Sequence, residues 1–320
     1  MLYGSGKYTY EVVEDWAQLR EGMIFSDVPS IFIDNKDRVY IFSRSENPVT
    51  VFDSSGKLLT SWGKGYFKRP HGSCIGPDGS IYLTDDENHN VTKFTNDGKV
   101  LMTLGTKGKP SDTGYRQVPK DEMHPNFTWE RIASIKRGGL PFNQPTGVAL
   151  SSKGDIYVSD GYGNARVHKF SKDGRLLFSW GEPGAGPGQF RWPHSVHVDK
   201  QDRVWVCDRE NSRIQIFNDN GKFLEERINL IRPQNIVINN DKKIVYVGEG
   251  AMRVSIFTID GKLLARWGNE NHDVDDPLFL SSPHAIAVDS KGDIYTGSNT
   301  VTNYTKDVGS KAVKKFVHKK

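Results

Sequence analysis

Short stretches of alternating apolar and polar residues, separated by turn residues, recur along this chain at intervals of about forty residues. Each unit opens with a proline, continues through an Asp/Gly turn to a Val/Ile-x-x-Phe segment, and closes on Asp-Gly-Lys and Trp-Gly. Residues 156–158 and 167–170 have the composition of strands, and Asp97-Gly98 and Asp173-Gly174 are typical of the tight turns between strands. Four short strands per unit predict the blades of a β-propeller.

Six such units are present, and no stretch has the pattern of a long amphipathic helix. The units begin at Pro29, Pro70, Pro145, Pro193, Pro233 and Pro283, and their anchor phenylalanines are Phe52, Phe94, Phe170, Phe217, Phe257 and Phe316. The last unit offers only three strands, so we expect residues 8–13 to supply its outer strand and leave no open sheet edge.

The prediction is therefore an all-β fold, a six-bladed propeller formed by one domain over residues 1–320. The expected blades span about 28–63, 70–105, 145–181, 193–227, 233–268 and 283–317, the last joined by 8–13.

One connection, residues 106–143, is far longer than the others and contains Tyr115, His124 and Trp129. Loops of this length in a compact domain usually serve as lids or binding loops. The strand order places it on the face where the repeat prolines lie. We interpret it as a lid-like insertion that could bring His124 near a substrate, with a disordered surface insertion as the alternative.

Composition narrows the range of partners. The 43 Lys and Arg residues exceed the 39 Asp and Glu residues only slightly, and residues 311–320 form the single concentrated basic stretch. This balance gives no indication of a nucleic-acid or membrane partner. Cys74 and Cys207 form no disulfide framework, and the N-terminus has no signal-peptide pattern. We expect a monomer in the cytoplasm, or a secreted protein if a signal peptide has been removed.

The residue after each repeat proline forms what we call the inner set, expected near the mouth of the central channel. In blade order it reads Ser30, His71, Thr146, His194, Gln234 and His284. Histidine thus takes every second place. Three imidazoles converging on one axis suit a catalytic zinc ion with an open fourth position. A packing preference for Pro-His is the alternative, but it does not predict strict alternation.

A second set, here called the loop set, lies eight residues before each anchor phenylalanine. It reads Arg44, Asp86, Tyr162, Arg209, Glu249 and Val308. Arginine can clamp a carboxylate through two hydrogen bonds, and a tyrosine beside zinc can act as a base. Salt bridges to Asp86 and Glu249 across the channel mouth are the alternative role for the arginines.

Other chemistry-bearing residues have structural interpretations. We expect His89, His168 and His197 to be structural or surface residues, and Asp85, Asp160 and Asp208 to stabilise turns. No Gly-x-Ser-x-Gly elbow occurs, neither cysteine adjoins an evident base, and residues 184–188 have the pattern of a turn.

The repeats resemble NHL repeats, and from about Val28 to Val317 the chain resembles peptidyl-α-hydroxyglycine α-amidating lyases. The most specific segments are Pro70-His71-Gly72, residues 159–166, Pro193-His194-Ser195, residues 208–211 and Pro283-His284. The resemblance implies that His71, His194 and His284 bind catalytic zinc. It further implies that Tyr162 and Arg44 are catalytic, with Arg209 near the active site.

Three departures from the family pattern also follow. The resemblance implies a structural calcium ion on the backbone carbonyls of Ile31 and Ser73 and on an aspartate after the third histidine, but Ala285 stands at that last position. A methionine two residues before the same histidine is replaced by Ser282. The disulfide cysteines of the secreted animal enzymes are missing, so a bacterial-type homologue is indicated.

The expected reaction is cleavage of the C–N bond of a peptide or small-molecule α-hydroxyglycine to an amide and glyoxylate. The same chemistry on a small ureido or acyl carbinolamine is one alternative. A non-enzymatic NHL scaffold for protein or RNA is another, although the mixed charges of the loop set argue against RNA. A lactonase-like calcium propeller is disfavoured because calcium prefers oxygen ligands to imidazoles.

Overall fold

Antiparallel sheets dominate the structure, a computed structural model that describes residues 2–13, 15–118, 127–268, 283–299 and 309–319. Five sheets have four strands and one has five, with successive strands of each repeat side by side. These are the blades of a six-bladed β-propeller, so the predicted fold class is confirmed. Within the described residues, no helix is long and apolar enough to cross a membrane.

The first of two compact units combines residues 1–79 with 233–320. Two strands at its start are β1 (Leu2–Ser5) and β2 (Tyr8–Val13). Blade 1 consists of β3 (Ser30–Ile33), β4 (Val39–Phe42), β5 (Val49–Phe52) and β6 (Leu58–Trp62), and it is followed by β7 (Pro70–Ile75), the inner strand of blade 2.

The second unit spans residues 80–232. It holds the remaining strands of blade 2, β8 (Ile81–Asp85), β9 (Asn90–Phe94) and β10 (Val100–Leu104), and the short helix α1 (Phe127–Ser134). Blade 3 consists of β11 (Pro145–Leu150), β12 (Ile156–Asp160), β13 (Arg166–Phe170) and β14 (Leu176–Trp180). A parallel pair follows, β15 (Glu182–Pro183) and β16 (Gln189–Phe190).

Blade 4 completes the second unit with β17 (Pro193–Val198), β18 (Val204–Asp208), β19 (Arg213–Phe217) and β20 (Phe223–Arg227), and a 3-10 turn at Arg209–Asn211. Blade 5, in the first unit, consists of β21 (Pro233–Asn239), β22 (Ile244–Glu249), β23 (Arg253–Thr258) and β24 (Leu263–Gly268). Blade 6 consists of β25 (Pro283–Val288), β26 (Ile294–Ser298) and β27 (Val313–Lys319), the last preceded by a 3-10 turn at Gly309–Ala312.

The N-terminal strand completes blade 6, as the sequence predicts. Strand β2 pairs antiparallel with β27, and Tyr10 faces His318 while Val12 faces Phe316. Strand β1, which the sequence pattern did not indicate, pairs with β2 and becomes the fifth strand of the sheet. The edge of β27 is thereby covered by main-chain hydrogen bonds.

Burial follows strand position within each blade. The second strand is fully buried in blades 1 to 6, because it has a neighbour strand on both sides and packed side chains on both faces. The outer strand β20 instead alternates between half-buried and exposed residues. This gradient explains how a chain of only 36% hydrophobic residues builds six separate sheets.

Aspartates organise the hairpins between the first two strands of a blade. In blade 4, Asp199 Oδ1 accepts hydrogen bonds from the backbone N–H groups of Gln201 and Arg203, both at 3.0 Å. Asp34 and Asp289 make the same type of bonds in blades 1 and 6. The first hairpins of blades 1, 4 and 6 are therefore each fixed by an aspartate side chain.

The long connection is described over residues 106–118 and 127–143 and contains α1, which the sequence analysis did not predict. Its hydrogen bonds reach the loop after β12: the Thr113 hydroxyl donates to the Gly163 carbonyl at 2.6 Å, and the Asn164 amide donates to the Gly139 carbonyl at 3.1 Å. These described parts are thus anchored to blade 3. His124 lies outside the described residues.

Candidate active site

Three buried histidines are brought together at the starts of inner strands. His71, His194 and His284 are each the second residue of an inner strand, and no more than 2% of any of them is exposed. One ring nitrogen of each lies within 4.8 Å of those of the other two. The cluster could therefore hold a metal ion.

The donor set fits zinc. His284 Nδ1 lies 2.9 Å from the Pro29 carbonyl oxygen. Because a carbonyl only accepts hydrogen bonds, Nδ1 carries the proton and the lone pair of the ring is on Nε2. A backbone carbonyl that accepts the other ring N–H usually fixes the tautomer of a metal-binding histidine. The His71 ring lies edge-on to His284, with 4.9 Å between ring centroids.

The other members of the inner set have structural roles. The Thr146 hydroxyl donates to the Pro193 carbonyl at 2.7 Å, and the hydroxyls of Ser30 and Ser73 are 2.6 Å apart. Gln234 is buried. These polar side chains occupy the positions between the histidines.

Tyr162 of the loop set contacts the histidine cluster directly. Its hydroxyl lies 3.0 Å from His194 Nε2, and the side chain is buried. A glycine permits this approach: a Cβ atom on Gly161 would lie 2.1 Å from the Pro193 carbonyl oxygen. The loop after β12 can therefore lie against the start of β17, which brings the tyrosine to the histidine one blade further on.

Arg209 borders the same tyrosine. It pairs with Glu210 at 3.1 Å and its guanidinium lies over the Trp192 ring. Burial lowers the pKa of Arg209, whereas the negative charge of Glu210 acts in the opposite direction. The Trp192 ring also meets Tyr162 edge-on, with centroids 5.2 Å apart.

Trp192 connects this cluster to the insertion. Arg131 of α1 lies over the Trp192 ring at 5.4 Å and over the Tyr115 ring at 5.5 Å, and its Nε donates to the Tyr115 hydroxyl at 2.7 Å. Two arginines therefore share one buried indole beside Tyr162. No sequence pattern marked Trp192 or Arg131 as functional; the position of Trp192 directly before Pro193-His194 was the available signal.

The Arg44 guanidinium is held by hydrogen bonds through two of its three nitrogens. Its Nη1 donates to Asp27 at 2.6 Å and its Nε donates to the Pro70 carbonyl at 3.3 Å. Its Nη2 is buried and has no hydrogen-bond partner within the described part of the chain. A buried cationic donor in this state can accept an anionic ligand at little cost. Asp27, which orients the group, was not singled out in the sequence.

The charged residues of the loop set form ion pairs with near neighbours. The alternative expected from the sequence was salt bridges between loop-set residues across the channel mouth. Glu249 pairs with Arg253 of the neighbouring strand at 2.8 Å and also accepts a hydrogen bond from Ser255. Arg44 and Arg209 pair with Asp27 and Glu210 instead. Asp86 is buried, and Val308 lies outside the described residues.

The three histidines that the sequence assigned to structural or surface positions lie outside the cluster. His168 is buried between Ser179, at 2.7 Å, and Asp160, at 3.3 Å. His89 Nδ1 accepts a hydrogen bond from the Gln144 backbone at 3.1 Å. Burial lowers the pKa of His197 to about 4, which keeps that ring neutral at physiological pH.

Asp85, Asp160 and Asp208 stabilise loops, as expected. Asp208, for example, accepts hydrogen bonds from the Arg191 backbone, from Asn211 and from Arg213, all between 2.8 and 2.9 Å. The two cysteines are free thiols, in agreement with the absence of a disulfide framework.

The position expected to complete a calcium site is apolar. Ala285 is fully buried and packs in a hydrophobic cluster with Val28, Ile31 and Tyr295. Calcium requires six to eight oxygen ligands, and this cluster supplies no carboxylate at position 285. The residues present do not fit the calcium site that the family resemblance implies through Ile31 and Ser73.

Comparisons with known proteins agree with the repeats and identify the family. The NHL repeat model matches residues 67–94, 142–170 and 190–217. Human NHL repeat-containing protein 3 is 30% identical over 87% of this chain and 76% of its own length. The peptidyl-α-hydroxyglycine α-amidating lyase 1 of Drosophila melanogaster is 27% identical over 83% of this chain and 48% of its own. The chain belongs to the NHL-repeat family that includes these lyases.

Two further comparisons concern a longer relative and a solved structure with the same fold. The rat peptidylglycine alpha-amidating monooxygenase is 29% identical over 94% of this chain, which spans only 32% of that larger protein. A streptogramin B lyase structure superposes with a TM-score of 0.61 over 98% of this chain and 99% of its own, at 14% identity. At that identity the superposition supports the propeller fold and carries no inference about the substrate.

Proposed function

We propose that this protein is a zinc-dependent carbon–nitrogen lyase acting on an α-hydroxyglycine, R-CO-NH-CH(OH)-COO⁻, to give an amide and glyoxylate. The observation that carries the proposal is the buried trio of His71, His194 and His284 with the Tyr162 hydroxyl 3.0 Å from one of its nitrogens. The hydroxyl O–H bond and the C–N bond break, the carbonyl of glyoxylate forms, and the proton ends on the amide nitrogen.

Zinc would be held by the three histidines, and when bound it would make the substrate hydroxyl more acidic. The remaining tasks fall to side chains. Tyr162, beside His194, is placed to accept the hydroxyl proton on its phenolate oxygen and to return that proton to the departing amide nitrogen. Arg209, whose guanidinium lies over the Trp192 ring that meets Tyr162 edge-on, would stabilise negative charge on the tyrosine oxygen during the transfer.

Arg44 would bind the substrate carboxylate. Its Nη2 is a buried donor without a partner among the described residues, and Asp27 fixes the plane of the guanidinium. Fixing this group before the substrate arrives lowers the entropy lost when the carboxylate binds. The carboxylate then stays anchored as glyoxylate while the amide leaves.

The first prediction concerns the histidine cluster. We expect His71→Ala to abolish glyoxylate release from N-benzoyl-α-hydroxyglycine and to reduce bound zinc by elemental analysis, because two imidazoles rarely hold a catalytic ion. His318→Ala is the matched control, since His318 bonds to the Lys7 carbonyl at 2.8 Å and lies outside the cluster. A fully active, zinc-free His71→Ala protein would refute the proposal.

A non-enzymatic scaffold remains the second candidate, and human NHL repeat-containing protein 3, whose name states no reaction, favours it. Purified protein that binds no zinc and releases no glyoxylate would support the scaffold. Zinc-bound protein active only on ureido or other acyl carbinolamines would keep the chemistry and change the substrate.

A further inference from the structure

An arginine on an exposed tryptophan lies in the second unit, just before the pair Pro193-His194. Arg191 stands between β16 and β17, and its guanidinium lies over the Trp129 ring of α1, with 5.8 Å to the ring centroid. The Trp129 side chain is 47% exposed, and Arg191 is half-buried. A cation and an aromatic face therefore meet at the surface of the protein.

The positive charge of Arg191 is not balanced by an ion pair in the ranges that the structure describes, where its guanidinium contacts the Trp129 ring alone. The nearest carboxylate along this segment belongs to Glu210, whose N–H donates to the Arg191 carbonyl. That carboxylate is already engaged, because it pairs with Arg209 at 3.1 Å and with Arg232 at 2.7 Å. A guanidinium in this state is a strong, planar donor for a carboxylate.

The backbone around Arg191 is held in place before a ligand arrives. Its N–H donates to Asp208 Oδ1 at 2.8 Å, and its carbonyl accepts from the Glu210 N–H at 3.0 Å. The next residue, Trp192, has a left-handed backbone with φ +59°, which is uncommon for a bulky side chain. Such conformations persist where the surrounding structure fixes them, and they cluster at ligand sites. Arg191 is thus presented by a fixed segment.

The same segment leads to the proposed catalytic tyrosine. The Trp192 ring meets the Tyr162 ring edge-on with 5.2 Å between centroids, and the Tyr162 hydroxyl lies 3.0 Å from His194 Nε2. Arg131 of α1 lies over this indole at 5.4 Å and adds a second positive charge. Because Arg191 adjoins Trp192 and an extended peptide advances about 3.4 Å per residue, a residue that precedes an α-hydroxyglycine at Tyr162 can bring its side chain to Arg191.

We infer that Arg191, with the exposed ring of Trp129 beside it, binds an anionic group on the acyl side of the substrate, so that the preferred substrates are α-hydroxyglycines preceded by an acidic residue. The guanidinium pairs with the side-chain carboxylate, and the indole packs against its methylene groups. The inference rests on the proposed function, because it takes Tyr162 and His194 as the place where the C–N bond is cleaved. It adds the charge of the acyl group, which the histidine cluster does not determine.

Two substrates of nearly equal shape and different charge test the inference. They are N-acetylglutamyl-α-hydroxyglycine and its glutaminyl counterpart, which has an amide in place of the side-chain carboxylate. We expect the wild type to have a kcat/KM about fivefold higher for the glutamyl substrate, the size of effect that one partly exposed ion pair supplies. Raising the salt concentration from about 0.05 M to about 0.5 M should bring this ratio towards one, because salt screens exposed charges.

Arg191→Met should lower kcat/KM for the glutamyl substrate about fivefold and for the glutaminyl substrate less than twofold, because methionine keeps an apolar contact with Trp129 and removes the charge. The glutaminyl value therefore reports whether the variant is folded. Arg191→Lys keeps the charge and should retain part of the preference. Arg137→Met removes an arginine that pairs with Asp112 in the same insertion, and this matched control should change neither value.

Binding of N-acetylglutamylglycine and N-acetylglutaminylglycine, which lack the reactive hydroxyl, separates the anion site from the chemistry when it is measured by titration calorimetry. Glyoxylate release from both substrates at equal kcat/KM, or a preference that Arg191→Met leaves unchanged, would overturn the acidic preference and leave the lyase standing. Absence of glyoxylate, together with tighter binding of the glutamyl dipeptide that Arg191→Met removes and Arg137→Met retains, would overturn the lyase and support the anion site.

Discussion

Single residues decide which side chains meet in this protein. Gly161 lets the loop after β12 approach the Pro193 carbonyl, and Tyr162 reaches His194 as a result. Asp27 likewise holds the Arg44 guanidinium, whose Nη2 has no hydrogen-bond partner among the described residues. At this scale, the candidate chemistry depends on a missing Cβ atom and on one ion pair.

Asp208 gives a prediction at the residue scale. Burial raises its pKa to about 6, against the opposing hydrogen bonds from Asn211 and Arg213. Because the folded pKa lies above the unfolded value, the folded state holds a proton between about pH 4 and pH 6 that the unfolded chain has released. The contribution of Asp208 to stability is therefore complete below pH 4 and is lost as the pH rises through about 6.

The corresponding variant is Asp208→Asn, which keeps an oxygen acceptor and cannot titrate. The wild-type free energy of unfolding, measured with urea between pH 4 and pH 6, should change relative to the variant by about 1 kcal/mol per pH unit. The difference should decrease as the pH rises. Parallel pH profiles for the two proteins would contradict the assigned pKa.

At the element scale, the insertion is the feature whose role the sequence left most open. Its described residues hydrogen bond to the loop that carries Tyr162, and α1 places Arg131 over Trp192. These contacts make the insertion a support for the proposed catalytic tyrosine. They attach the described residues of the insertion to blade 3. Closure of the insertion over a substrate stays a prediction.

We expect Arg131→Met to lower kcat for glyoxylate release about fivefold with little change in KM, because it removes the guanidinium that steadies Trp192 beside Tyr162. A cation–π contact of this kind contributes about 1 kcal/mol. Arg131 is thus a positioning residue. The kcat is expressed per folded protein, with the folded fraction measured by circular dichroism, since loss of folded protein would also lower the apparent kcat at an unchanged KM.

Arg137→Met is the control for this experiment, because Arg137 belongs to the same insertion and pairs with the exposed Asp112. Its kinetics should match those of the wild type. Equal losses in kcat for the two variants, or a loss confined to KM, would remove the positioning role of Arg131.

At the scale of the whole molecule, closure of the last blade by the first strands joins the two ends of the chain. Tyr10 of β2 is 1% exposed, stacks on Trp267 with 5.2 Å between centroids, and lies 5.1 Å from the His318 ring. It connects the N-terminal strand to blade 5 and to the C-terminal strand. The closing contact is therefore hydrophobic as well as main-chain.

We expect Tyr10→Ala to lower the free energy of unfolding by about 4 kcal/mol, because it leaves a cavity at the closing strand. Tyr10→Phe keeps the ring that stacks on Trp267 and removes only a hydroxyl group, so it should cost no more than about 1 kcal/mol. Urea denaturation of both variants measures the difference. Similar losses would show that the closing contact does not depend on the aromatic ring.

Much of the architecture was readable from the chain because it is local and periodic. The alternation of apolar and polar residues in a strand and the Asp-Gly pair of the next turn lie within a few residues of each other. Six copies of this pattern then give the number of blades. Strand β1 and helix α1 were missed because each is short and occurs outside the repeat. The apolar surroundings of Ala285 could not be read either, since Val28 and Tyr295 are distant in sequence.

The sequence by itself determined the six repeats, the strand that closes them and the alternation of Pro-His that brings three histidines into one buried cluster. Tertiary structure decided where those side chains lie: that Tyr162 touches His194 and that Arg44 is held by Asp27. The reason is physical. Periodicity fixes which position of a blade a residue occupies, whereas distances of 3 Å between side chains depend on how neighbouring loops pack.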